Sequence, residues 1–120
     1  MLRDIGCEVP QPMARWLSKL LLPDEVLLDA RIIREDRLLA FSDVRIFQLD
    51  LRDRGKNVER YKSVMLSAML GVLYLHPNKE LVVQAEWGAA LNLDFFGELG
   101  GQAPFITQLI STVHKAQRPA

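Results

Sequence analysis

The chain has 120 residues, with 15 Lys and Arg against 15 Asp and Glu, two His, one Cys and 49% hydrophobic residues, a composition that describes one compact domain. A formal net charge of zero removes the electrostatic footprint of a sequence-independent nucleic-acid binder, which works by neutralising phosphates with Lys and Arg. The lone Cys7 excludes an internal disulfide and a thiolate metal cluster, and it fits a reducing, cytoplasmic location.

The opening stretch, Met1 to Gln11, contains Arg3, Asp4, Glu8 and Pro10 and offers no apolar run of signal-peptide length. Pro12 to Leu22 predicts a first helix, because Met13, Trp16, Leu17, Leu20 and Leu21 recur at helical spacing while Arg15, Ser18 and Lys19 fall opposite. Pro23 stops it. Residues 1–23 are therefore a tail and amphipathic helix, and residues 24–120 the main domain.

From Asp24 the period changes to two. Val26, Leu28, Ala30 and Ile32 alternate with Asp29 and Arg31, and Phe47, Leu49 and Leu51 with Gln48, Asp50 and Arg52. Leu81, Val83, Ala85 and Trp87 alternate with Glu80, Gln84 and Glu86, and Leu91, Leu93 and Phe95 follow with Asn92 and Asp94 opposite. Turn residues punctuate these runs at Glu35-Asp36, Ser42-Asp43, Asp53 to Asn57, His76 to Lys79 and Trp87-Gly88.

Seven strands are expected, at Val26–Ile33, Arg37–Phe41, Val44–Leu51, Val58–Val64, Val72–His76, Glu80–Trp87 and Leu91–Phe96. Their short connections suit antiparallel neighbours and exclude a parallel sheet. The stretch 64–71 stays open between strand and helix, because Met65, Leu66, Ala68, Met69 and Leu70 are good helix formers. Val64 to Leu75 is the longest apolar run, at about a dozen residues, and a membrane-spanning helix needs about 20. No integral membrane association is expected.

After the break Gly97-Glu98-Leu99-Gly100-Gly101, a second helix is expected over Pro104–Gln117. Its apolar stripe is Phe105, Ile106, Leu109, Ile110 and Val113, with Leu109 and Ile110 as anchors. The fold class expected is mainly β (α+β): about seven antiparallel strands in a barrel closed by a C-terminal helix, preceded by a short helix.

Three stretches carry a further likeness: Leu21-Leu22-Pro23-Asp24-Glu25 entering the first strand, Arg34 to Ile46 across a hairpin, and Asp50 with Gly55-Lys56-Asn57-Val58-Glu59-Arg60-Tyr61. Together they resemble a small bacterial family of pleckstrin-homology-like domains, stand-alone proteins without assigned function. The resemblance implies a pleckstrin-homology-like barrel and a binding or assembly module rather than an enzyme. It also implies association through barrel edges and flanking helices. The hairpin that in related domains binds phosphoinositides holds Arg34, Glu35, Asp36 and Arg37 here, where two carboxylates cancel two cations.

No catalytic residues, metal ligands or cofactor are assigned. His76 reads as a turn residue and His114 as a cation suited to a helix C-terminus. Asp24-Glu25, Glu35-Asp36, Asp50 and Asp53 read as solvated turn residues, since the calcium loop spacing is missing. Gly97, Gly100 and Gly101 lack the following Gly-Lys-Ser/Thr of a phosphate loop.

Met13, Trp16, Leu17 and Leu20 are the candidate interface of a homo-oligomer, because the barrel alone would leave the leading helix's stripe uncovered. Strand Val44–Leu51 has few edge-protecting charges and is a candidate pairing edge. Arg52, Arg54, Lys56 and Arg60 are the candidate contacts for an anion or acidic peptide. The function expected is a non-enzymatic, self-associating interaction module with a protein partner and no nucleic acid. The alternative is a small-ligand, acidic-peptide or lipid-headgroup binder, although the faces expected to point inward, Phe47-Leu49-Leu51, Leu81-Val83-Ala85 and Leu91-Leu93-Phe95, carry no polar residue.

Overall fold

The computed structural model describes residues 11–34, 36–94 and 96–118, so Cys7, Glu35 and Phe95 lie outside the described residues. Helix α1 (Gln11–Leu20) leads into seven strands, β1 (Leu27–Arg34), β2 (Arg37–Ser42), β3 (Arg45–Arg52), β4 (Asn57–Met65), β5 (Met69–Leu75), β6 (Glu80–Ala85) and β7 (Ala90–Leu93), and helix α2 (Leu99–Ala116) follows. All described strand pairs are antiparallel.

The expected barrel does not form. The strands make a four-stranded sheet in the order β1-β2-β3-β4 and a three-stranded sheet in the order β5-β6-β7, and the two are not closed on each other. The open stretch 64–71 resolves into the end of β4, one 3₁₀ turn at Leu66–Ala68 and the start of β5. The turn lets an apolar chain leave one sheet and enter the other while Leu66 and Met69 stay buried.

Two apolar clusters organise the packing. Leu39, Phe41, Ile46 and Val64 of the four-stranded sheet meet Leu81, Val83, Leu91 and Leu93 of the three-stranded one, with Phe105 and Leu109 of α2. The Phe105 ring sits between Phe41, edge-on at 5.1 Å between centroids, and Phe96 at 5.8 Å. The second cluster joins Met13 and Leu17 of α1 to Leu38, Ala40, Phe47, Leu49 and Leu51 on the other face of the same sheet.

This second cluster explains the sequence of β3. Ile46 through Leu51 are buried without interruption, as expected of a strand covered on both faces. Phe47, Leu49 and Leu51 were expected to face the space between strands and instead face α1. The inner face belongs to Ile46 and, by alternation, to Gln48 and Asp50. With neighbours on both sides, β3 offers no edge, contrary to the sequence reading of Val44–Leu51.

Helix α2 starts five residues earlier than expected, with Gly100 and Gly101 in its first turn and Pro104 inside it. Among its stripe residues Phe105 and Leu109 are buried, but Ile110 is 53% exposed and is no anchor. Gln117 fastens the far end, its Nε2 donating to the carbonyls of Leu66 and Met69 at 3.0 and 2.8 Å. Among the described residues no helix is long and apolar enough to cross a membrane.

Candidate functional site

Helix α1 and the turn between β3 and β4 meet over a cleft of about 280 Å³ lined by Pro12, Arg15, Trp16, Lys19, Arg54, Gly55 and Lys56. The helix contributes Arg15 and Lys19 one turn apart, so both point to the side on which Trp16 lies. The Trp16 Nε1–H donates to the Gly55 carbonyl at 2.8 Å, and Lys19 Nζ stands 4.8 Å from the centre of the indole.

The turn is built for this approach. Asp53, Arg54 and Gly55 have φ of 54°, 57° and 88°, three successive left-handed residues. Asn57 Nδ2 donates to Asp53 Oδ2 at 2.6 Å, and the amides of Gly55 and Lys56 close the turn onto the carbonyls of Arg52 and Asp53. Gly55 lies so close to Pro12 that a side chain there would collide with the proline ring.

The far end of α1 is held by a buried ion pair that the sequence reading missed. Arg45 Nε donates to Glu25 Oε2 at 2.9 Å and its Nη2 to Glu25 Oε1 at 3.0 Å. Arg45 also donates to the Leu20 carbonyl at the end of α1 and to the Tyr61 hydroxyl at 2.7 Å. Ser42 donates to Glu25 Oε2 at 2.5 Å, and the Leu22 amide to Oε1 at 3.0 Å. Burial pushes the Glu25 carboxyl up, but the Arg45, Ser42 and Leu22 hydrogen bonds and the Arg45 charge outweigh it and hold the carboxyl below its ordinary value. The hydrogen bond that Arg45 donates to Glu25 in turn raises Arg45, against its burial. Glu25 is therefore no solvated turn residue; a single Glu ahead of a strand gives no sign of an Arg 20 positions on.

Asp50 is corrected in the same way. It is buried and accepts hydrogen bonds from Arg37 Nε at 3.1 Å and from Gln48 Nε2 at 3.1 Å. Gln48 and Asp50 are inward polar groups where none was expected, yet they satisfy one another; among the described residues no buried side-chain polar atom lacks a partner.

Of the expected interface residues, Met13 and Leu17 are buried against the chain's own sheet, Trp16 forms a wall of the cleft, and Leu20 packs half-buried beside the second cluster. The leading helix thus has an intramolecular partner surface. Of the expected anion contacts, Arg54 and Lys56 reach the cleft. Arg52 stands opposite Asn57 and Arg60 opposite Asp50, and alternation from Leu51 and Tyr61 turns both toward the other face of the sheet. Arg15 and Lys19 complete the cleft; their spacing of four was visible in the sequence, but the hairpin they face was not.

His76 occupies the β5–β6 turn, where its carbonyl accepts from the Lys79 amide, and His114 lies exposed in the last turn of α2. Among the described residues no group of three or more His, Cys, Asp or Glu converges as a metal site would require. The arrangement can bind an anion electrostatically and holds no paired nucleophile and base.

No family model matches the chain, and no curated protein does. Solved structures are similar to it, two of them bacterial proteins of comparable length. One is a protein of the DUF1696 family with a pleckstrin-homology domain from Shewanella loihica PV-4, at 21% identity and a TM-score of 0.60, covering 85% of this chain and 98% of its own. The other is a pleckstrin homology domain from Shewanella amazonensis SB2B, at 18% identity and a TM-score of 0.60, covering 87% of this chain and 91% of its own. Both are bacterial, as the sequence motifs implied, and the likeness rests on the two antiparallel sheets with their C-terminal helix: the chain has a pleckstrin-homology-like fold.

Proposed function

We propose that the chain is a non-enzymatic interaction module that self-associates through the edge of its three-stranded sheet. The observation that carries this reading is β5. It is an edge strand pairing with β6 alone among the described residues, its sequence Met69–Leu75 contains no charged residue, and Leu70, Leu73 and Leu75 are 70%, 46% and 44% exposed. Strand edges offer unpaired N–H and C=O groups, and proteins that stay monomeric blunt them with charges, proline or bulges. The bulge between Met69 and Gly71 interrupts only the start of β5.

A second copy is the occupant that matches such an edge. Antiparallel pairing of β5 with β5 is self-complementary about a two-fold axis, and a net charge of zero sets up no overall repulsion between copies. Because Met13 and Leu17 of α1 are already covered, this reading rests on the strand edge rather than on α1.

Light scattering on the full chain tests it. A multimer of the 13.7 kDa chain at micromolar concentration is expected, and Leu73→Lys combined with Leu75→Lys should reduce it to the monomer mass. A wild-type monomer, or a multimer that survives both lysines, overturns the reading.

A further inference from the structure

We propose that the cleft between α1 and the β3–β4 turn binds a small ligand through a phosphate group. Arg15, Lys19, Arg54 and Lys56 bring four cations to its walls and no carboxylate lines it. Ion pairs among the described residues engage Arg31, Arg37, Arg45 and Lys79, and none of these four. Asp53, the carboxylate next to Arg54, is turned to Asn57 and does not line the cleft. Like charges gathered without a counter-charge repel one another, and an anion between them relieves that repulsion.

The two elements that carry the cations are also held together. The helix carrying two of them is bonded to the turn carrying the other two by the Trp16–Gly55 hydrogen bond, and Pro12 presses on Gly55 beside it. With the helix and the turn already docked, a ligand does not have to bring them together.

Phosphate suits this geometry better than a run of peptide carboxylates. Two guanidinium forks match the paired oxygens of a phosphate, and the lysines add point charges. The volume lies just under that of ordinary small-ligand pockets, which begin at about 300 Å³, and is enough for a phosphate ester. The phosphate can arrive on a soluble compound or on a lipid headgroup, with the same contacts.

Trp87→Phe leaves Trp16 as the one indole in a chain that has two, so its fluorescence reports on the cleft. Titrating this full-length variant with inorganic pyrophosphate should give a saturable change that weakens with salt. Adding Arg54→Gln and Lys56→Gln should raise the Kd about tenfold or more. Adding instead Arg52→Gln and Arg60→Gln removes the same charge from the opposite face and should leave the Kd within about twofold.

An unsaturable signal, a Kd weaker than about 1 mM, or equal losses in the two pairs overturns the proposal. Tighter binding of an oligoglutamate peptide than of pyrophosphate overturns the phosphate assignment. Sedimentation with phosphatidic acid vesicles, against phosphatidylcholine alone, separates the sources. Arg54- and Lys56-dependent vesicle binding that pyrophosphate competes away assigns the phosphate to a headgroup, and pyrophosphate binding without vesicle binding assigns it to a soluble ligand.

Discussion

Gly55 and Pro12 approach so closely that a Cβ built on Gly55 falls 2.3 Å from the Pro12 Cβ, well inside any real contact. The φ of Gly55, 88°, excludes ordinary side chains on separate grounds. One glycine thereby lets the hairpin turn and lets α1 dock on it. Gly55→Ala is expected to cost about 2–4 kcal/mol, combining backbone strain with overpacking. Chemical denaturation measures the loss, and a red shift of Trp16 emission, read in the Trp87→Phe background, would locate it at the α1 junction. A loss below about 0.5 kcal/mol would mean that α1 slides freely on the turn.

The Glu25–Arg45 pair predicts acid sensitivity. The folded Glu25 carboxyl is held below its ordinary value of 4.5, so the stabilisation it gives is complete above that value and is lost as the pH falls through the lower, folded value. Urea denaturation across pH 3 to 7 should show stability falling toward the acid end, with a shallower slope in Glu25→Gln. Glu25→Ala leaves Arg45 buried without its partner and should cost about 3–5 kcal/mol at neutral pH. An unchanged acid slope in Glu25→Gln would assign the acid loss to other carboxylates.

Leu109 and Ile110 are neighbours in α2 with opposite fates, the first fully buried and the second 53% exposed. Leu109→Ala should cost about 2–5 kcal/mol, the range for truncating a buried leucine, whereas Ile110→Ala should cost less than about 1 kcal/mol. Thermal melts of the two variants decide the facing of the helix. Equal losses would mean that α2 is rotated from the orientation described.

The strands were legible in the sequence because half-buried positions alternate, and hairpin-length loops gave their antiparallel order. Alternation does not say which layer covers a face. Phe47, Leu49 and Leu51 read as the interior of a barrel, but they pack under α1 while Gln48 and Asp50 turn inward. The clue was composition: Leu38 to Phe41 run apolar without a polar partner, as a strand covered on both faces requires. Half the cationic cleft was legible in Arg54 and Lys56. Its other half depends on the docking of α1, a contact 39 residues apart between Trp16 and Gly55 that local periodicity does not encode.

Trp87 is the sharpest departure from the sequence pattern. Alternation set it on the apolar side of a strand reaching Trp87, yet β6 stops at Ala85 and Trp87 sits in a 3₁₀ turn with φ 65° and 98% of its surface exposed. A tryptophan there gains no burial within the chain, and its backbone conformation strains a residue with a Cβ. Trp87→Gly relieves that strain while giving the unfolded chain more freedom, two effects of about 1 kcal/mol each that oppose one another. Stability in dilute solution should therefore change by less than about 1 kcal/mol, as read by urea denaturation. The same measurement at rising protein concentration is the informative one. A loss that grows with concentration would show the indole buried by a second copy of the chain and would extend the interface beyond β5 to the β6–β7 turn. A loss of several kcal/mol at every concentration would mean that the ring packs inside its own chain, against the conformation described.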